Sequence, residues 1–231
     1  MSDQITLQAP SQSVDWGLPL FLTKENKYLA GFLTAVVATV LYLSSNHFHI
    51  FEPQLLPMSA TDRMVPFVPE TVWIYLSEYF FFIAVFVLCK DMANANKYLY
   101  SFIALQTVSV FIFWIWPTTY PRELFPLNAA EMDSLTYRAF SHLRVADSPA
   151  NCCPSLHVSS VYLSAFIYLD DQKKKFPFFF IWGTLIALST LTTKQHYLVD
   201  VACGFTMAVL FYWIFHRYIP YRPRLGAQAN R

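Results

Sequence analysis

The chain has 231 residues and a mass of 26.8 kDa, room for one domain or two small ones. Charged residues make up 13%, hydrophobic residues 55%, and the formal net charge is +1. A soluble surface carries about 25% charge, so disorder, a coiled coil and a basic nucleic-acid binder are excluded, and an integral membrane protein remains. The mean hydropathy is +0.36. Aromatics reach 18%, which suits a chain that meets membrane–water boundaries often.

In chain order, residues 1–27 read as a cytoplasmic or interfacial segment. Residues 1–23 hold no Lys or Arg, so the basic start of a secretory signal is missing. Residues 14–22 (VDWGLPLFL) predict a stretch lying on the bilayer. Six apolar runs then approach the roughly 20 residues a span needs. They are Tyr28–Ser45, Thr71–Leu88, Tyr98–Trp116, Val158–Leu169, Pro177–Leu191 and Val201–Phe215. The fourth is short and is expected to extend backward through Pro154-Ser-Leu-His157. The expected fold is all-α, a six-transmembrane-helix bundle over residues 28–216, followed by a basic cytoplasmic tail at 217–231.

Basic residues orient the bundle. With the N-terminus inside, the inner segments hold Lys24, Lys27, Lys90, Lys97, Lys173, Lys174, Lys175, Arg217, Arg222, Arg224 and Arg231. The outer segments hold only Arg63, Arg122, Arg138, Arg144 and Lys194. The bias predicts both termini in the cytoplasm. The outer loops are 46–70, about 117–156, and the TTKQHY turn. In the second, WPTTYPRELFP blocks a helix, and Asn128-Ala-Ala-Glu131 predicts a capping-box start to a short amphipathic helix ending near Val145.

Ionisable groups beside spans are functional candidates, because lipid cannot solvate them. His196 and Asp200 are four apart, which places them on one face of a helix. Asp200 would then fix the tautomer of His196 and leave the other nitrogen as nucleophile or base; a structural pair at a helix start fits as well. In Asn151-Cys-Cys-Pro-Ser155-Leu-His157, Pro154 and Ser155 suit a helix start, whose free N–H groups bind anions. His157 would face that anion, or be a wet histidine beside a capped helix. Arg122 sits in the proline-rich loop. The outward-facing set suits phosphoryl transfer, with one histidine attacking phosphorus, the other protonating the leaving oxygen, and cations and helix-start amides holding the remaining oxygens.

His157, His196, Asp200 and Cys152 or Cys153 could ligate zinc. Lys194 would repel such a cation, and the spacing matches no compact zinc signature, so no metal is assigned. Ser155 lacks the glycine context of a serine nucleophile. Cys89 and Cys203 read as small core residues, and Cys152 and Cys153 as packing near the site. Glu78, inside the second run among Tyr and Phe, is either a helix contact or a cavity-lining group. Asp62 and Arg63 read as capping the segment that follows. Lys173–Lys175 read as a solvated inner loop.

Pro154-Ser155-Leu156-His157 resembles the PSGH motif of the type 2 phosphatidic acid phosphatase superfamily. Ser189 through Asp200, STLTTKQHYLVD, resembles its S-R-x5-H-x3-D motif. His196-Tyr197-x-x-Asp200-Val201 is similar to the stretch found in inositol phosphorylceramide and sphingomyelin synthases, an inositolphosphotransferase-like branch. The likeness spans roughly 28–216. Leu156 replaces the family glycine, Thr190 replaces its arginine, and of the K-x6-R-P motif only Arg122 is matched.

The resemblance implies a ping-pong route without metal or cofactor. His196 attacks the phosphorus of a lipid phosphate, Asp200 orients His196, His157 protonates the leaving alcohol, and Ser155, Lys194 and Arg122 hold the phosphate. The acceptor is water in a phosphatase, or a lipid or polyol hydroxyl in a transferase. A noncatalytic transporter or scaffold is the third reading. The implied partners are a lipid phosphate and membrane lipids, not nucleic acid, with the site on the periplasmic or luminal face.

Overall fold

The computed structural model describes residues 17–147 and 149–222. Residues 14–16 of the expected interfacial stretch and residues 223–231 of the basic tail lie outside them. Of that stretch, Leu18–Pro19 (β1) pairs in parallel with Tyr221–Arg222 (β4). The amides of Phe21 and Leu22 donate to Asn96 Oδ1.

The helices are α1 (Lys27–His47), α2 (Ala60–Met64), α3 (Val72–Leu76), α4 (Glu78–Leu88), α5 (Met92–Ile115), α6 (Ser134–Ala146), α7 (Leu156–Phe166), α8 (Phe176–Thr192) and α9 (Leu198–Trp213). Short strands Gln54–Leu55 (β2) and Thr118–Thr119 (β3) pair between the first two long loops. Among the described residues, five stretches are long and apolar enough to cross a membrane: Lys27–His47, Pro69–Leu88, Met92–Ile115, Lys173–Thr192 and Leu198–Tyr218. The expected sixth, Leu156–Leu169, starts where the sequence places it but is a shorter apolar helix. It is buried almost throughout, so its neighbours, not its own length, shield it.

The surface is apolar and the centre partly polar, the reverse of a soluble bundle. Phe32, Leu33, Val36, Phe80, Ile83, Phe178, Ile181 and Trp213 face outward. At about 25 cal/mol per Å², so much exposed apolar area fits lipid and not water. Inside, α5 and α7 are joined by Tyr98 to Ser164 and by Gln106 to Ser160. Such pairs satisfy polar groups that lipid would leave unsolvated. At one end, Lys27 Nζ donates to the carbonyls of Val87 and Cys89, capping α4.

The packing of α7 on α9 sets the site. A Cβ on Gly204 would lie 2.5 Å from the Ser155 carbonyl and 3.1 Å from Val158 Cβ. Only a residue without a side chain permits this approach. The Ser155 amide in turn donates to the Asp200 carbonyl at 3.1 Å.

Loops 48–71, 116–155 and 193–197 gather at one end of the bundle. Val68 N–H bonds the Thr192 carbonyl, and Cys152 N–H bonds the Thr118 carbonyl. The Asn151 side-chain amide lies against Ser45 and Asn46. The expected helix start at Asn128 is a correction: Asn128–Glu131 forms a turn closed by Asn128 Nδ2 on Glu131 at 2.6 Å. The helix begins at Ser134, because Asp133 caps it by accepting the Leu135 and Thr136 amides.

Candidate active site

His196 precedes α9. α8 ends in a left-handed residue, Lys194, with φ of 55°, at the place where glycine usually stops a helix. The amides of Gln195 and His196 then fold back onto the Thr190 carbonyl at 3.0 and 3.2 Å. Thr190 thus acts through its backbone at the position of the family arginine. Asp200 is the third residue of α9. Its Oδ2 accepts the Tyr197 amide at 2.8 Å and meets His196 Nδ1 at 3.3 Å. The expected shared helix face is therefore corrected: the four-residue spacing works through helix capping, with His196 outside the helix. Asp62 caps the same helix from the first loop, its Oδ1 accepting the Leu198 amide at 2.7 Å. It also closes a capping box with Ser59. Both carboxylates complement the positive end of the α9 dipole.

Nδ1 of His196 faces a carboxylate and so carries the proton, leaving Nε2 with a free lone pair. Burial holds the ring below its ordinary pKa, and the charges of His157 and Arg122 act the same way, against the pull of Asp200. The imidazole is neutral at neutral pH, the form a nucleophile needs.

His157 lies in the first turn of α7, capped by Ser155, whose Oγ accepts the Val158 amide. Both oxygens of Glu78 stand 2.9 Å from His157 Nδ1, and Nε2 meets the Tyr75 hydroxyl. Tyr75 is the site residue that sequence reasoning missed, and Glu78, which the sequence left open between a helix contact and a cavity-lining group, is the partner of His157. The available signal was a carboxylate inside an apolar run, where an unpaired charge is costly. The two imidazoles lie 5.8 Å apart between ring centroids.

Both histidines and Arg122 line one cavity, with Tyr42, Asp147, Asn151, Cys152, Leu156 and Gln195. Arg122 donates to the Asp147 carbonyl at 2.7 Å and to its carboxylate at 2.8 Å. Tyr42 donates to the other oxygen of that carboxylate. Arg122 Nε is buried without a partner. Arg144 also has buried, unpartnered nitrogens, and burial together with the charge of Arg122 lowers it to about 10.

Two expected phosphate holders do not line this cavity. The Lys194 ammonium donates to the carbonyls of Asp62 and Val65 and lies 4.9 Å from the Phe125 ring centroid. Ser155 is fully buried and occupied with capping. Cys152 and Cys153 are buried free thiols beside the site.

The architecture is that of a multi-pass helical membrane protein with two histidine–carboxylate pairs beside a buried arginine. The chain belongs to the PAP2 superfamily, whose family model matches residues 59–214. That membership points to a phosphoric ester hydrolase or phosphotransferase. No curated protein and no solved structure matches the chain.

Proposed function

We propose that the protein is a membrane-embedded lipid phosphate phosphatase that works through a phosphohistidine and needs no metal. The observation that carries this reading is the pairing of two histidines, each held by its own carboxylate, across one cavity containing Arg122. The lone pair of His196 Nε2 forms the N–P bond as the P–O bond to the lipid alcohol breaks. His157, oriented by Glu78, gives its Nε2 proton to the departing oxygen. Asp200 stabilises the positive charge that builds on His196. Water then gives a proton to His157 and attacks phosphorus, and the N–P bond breaks to restore His196.

Arg122 and the first-turn amides of α7 hold the nonbridging oxygens, and Arg144 adds positive potential. Ser155 and Lys194 support this set by fixing the start of α7 and the turn before His196. The site faces the extracytoplasmic side, with Leu156–Leu169 as the sixth crossing and both termini inside.

Transfer of a phosphate-bearing head group to a lipid or polyol hydroxyl is the second reading. The His196-Tyr197-x-x-Asp200-Val201 stretch favours it, since it resembles inositol phosphorylceramide synthases. The test is turnover of radiolabelled lipid phosphates by purified protein, with and without alcohol acceptors. Free phosphate release fits the phosphatase, and preferential transfer fits the second reading. His196→Ala should abolish both and leave no trapped phosphoprotein; a variant that keeps most of its turnover would refute the mechanism.

A further inference from the structure

We propose that Cys152, His196 and Asp200 form a site for a thiophilic divalent cation of the zinc class, and that filling it stops turnover. One ligand atom from each residue lies within 4.8 Å of the others. All three side chains are buried, at 1%, 6% and 0% exposure. Tetrahedral zinc takes sulfur, nitrogen and oxygen at about 2.0–2.3 Å, which spaces ligand atoms by about 3–4 Å. The trio therefore needs only a small inward closure. Cys152 and His196 line the cavity, so water can complete the coordination.

A second observation points to a ligand. Asp200 Oδ1 is fully buried and accepts no N–H or O–H; the weak S–H donor of Cys153 is the neighbour of that carboxylate. An orphaned carboxylate oxygen costs free energy unless something positive meets it. Cys152 is a free thiol whose S–H is directed to the carbonyls of Pro149 at 3.1 Å and Gln195 at 3.6 Å. A mixed sulfur, imidazole and carboxylate set selects zinc-class ions over magnesium or calcium.

The charge on Lys194 gave the sequence its reason to disfavour a cation here. That ammonium does not line the cavity and is hydrogen-bonded to the carbonyls of Asp62 and Val65, whose dipoles partly offset its charge. Packing alone would account for a buried cysteine. It does not account for a buried carboxylate oxygen that meets no strong donor beside a thiol and an imidazole.

Binding releases the thiol proton to water and uses one nitrogen of His196. If the metal takes Nε2, the attacking lone pair is gone; if it takes Nδ1, Asp200 loses its hold on the ring. Inhibition therefore rests on His196 being the nucleophile, whereas binding does not.

The test starts with cobalt(II) chloride added to the purified full chain in detergent, followed by absorption. Tetrahedral visible bands and a near-ultraviolet sulfur-to-cobalt band are expected, and zinc should displace them. Cys152→Ser and Cys152→Ala should each remove the sulfur band and weaken zinc by more than about tenfold, the lower end of what losing even a supporting group costs. Asp200→Asn should weaken it similarly, and Cys153→Ala should keep the full spectrum. Absence of a tetrahedral spectrum, or the same spectrum in both Cys152 variants, overturns the site. In turnover assays, the zinc concentration that halves the wild-type rate should rise by the same factor in Cys152→Ser. Tight binding without inhibition would overturn the inhibitory role, and with it the assignment of His196, while leaving the site standing.

Discussion

Glu78 holds His157 by placing both carboxylate oxygens 2.9 Å from its Nδ1. The pair joins two elements 79 residues apart in sequence, and it mirrors the pairing of Asp200 with His196. The two histidines are thus both oriented, but by carboxylates on different helices.

Glu78→Gln should therefore slow turnover, by no more than the roughly 10²–10⁴-fold that a general acid contributes. The loss should fall on kcat and not on KM. A nitrophenyl phosphate ester, whose leaving group needs no proton, should recover much of the rate, as it should with His157→Ala. Equal losses for nitrophenyl and alkyl esters would remove Glu78 and His157 from the acid role.

Gly204→Ala should act at a distance from the chemistry. Its Cβ would meet the Ser155 carbonyl at 2.5 Å, a backbone atom that cannot swing away. Overpacking of this kind costs about 1–3 kcal/mol. A lowered Tm in detergent, with reduced turnover from a widened gap between His157 and His196, is expected; an unchanged Tm would show that the two helices tolerate separation.

Asp62 gives a pH-dependent contribution. Burial pushes its carboxyl upward, but hydrogen bonds from Ser59 and the Leu198 amide outweigh this and hold it below its ordinary 3.8. A depressed folded pKa means that the stabilisation is full above 3.8 and is lost as pH falls through the folded value. Asp62→Ala should lower stability at pH 7 by about 0.5–2 kcal/mol, the range for a lost helix cap. The difference from wild type should shrink in acid, as thermal unfolding across pH would record.

Lys194→Met separates structure from phosphate recognition. The ammonium ties the turn after α8 to the first loop, so its loss should lower Tm. The inhibition constant of inorganic phosphate should stay within about twofold, since a lost charged hydrogen bond would cost about 1.5–3 kcal/mol, or more than tenfold. A tenfold weaker inhibition would return Lys194 to the phosphate.

The distribution of basic residues predicts an orientation with both termini inside. Single cysteines at Lys174 and Thr193, introduced for labelling in intact cells, should react from inside and outside respectively. Outside labelling at Lys174 would reverse the proposed face of the site.

The sequence by itself determined the class of protein and singled out both histidines, Asp200 and Arg122. Low charge and long apolar runs leave few alternatives to a membrane bundle, and composition carries that information at every position. The H-x3-D and PSLH spacings were legible because each pair of neighbours belongs to one helix start, where local geometry decides contact. The shortness of the Leu156–Leu169 run was legible too, though not its reason, which is burial by neighbours. Only the tertiary structure decided which carboxylate serves His157 and where the cations go. Glu78 reaches His157, Asp147 takes Arg122, and the carbonyls of Asp62 and Val65 take Lys194. These partners lie on separate elements, and no periodicity or spacing encodes a contact set by how helices dock. Gly204 shows the same division: the sequence displays a glycine, but only the packed helices show that a methyl group there would strike the Ser155 carbonyl.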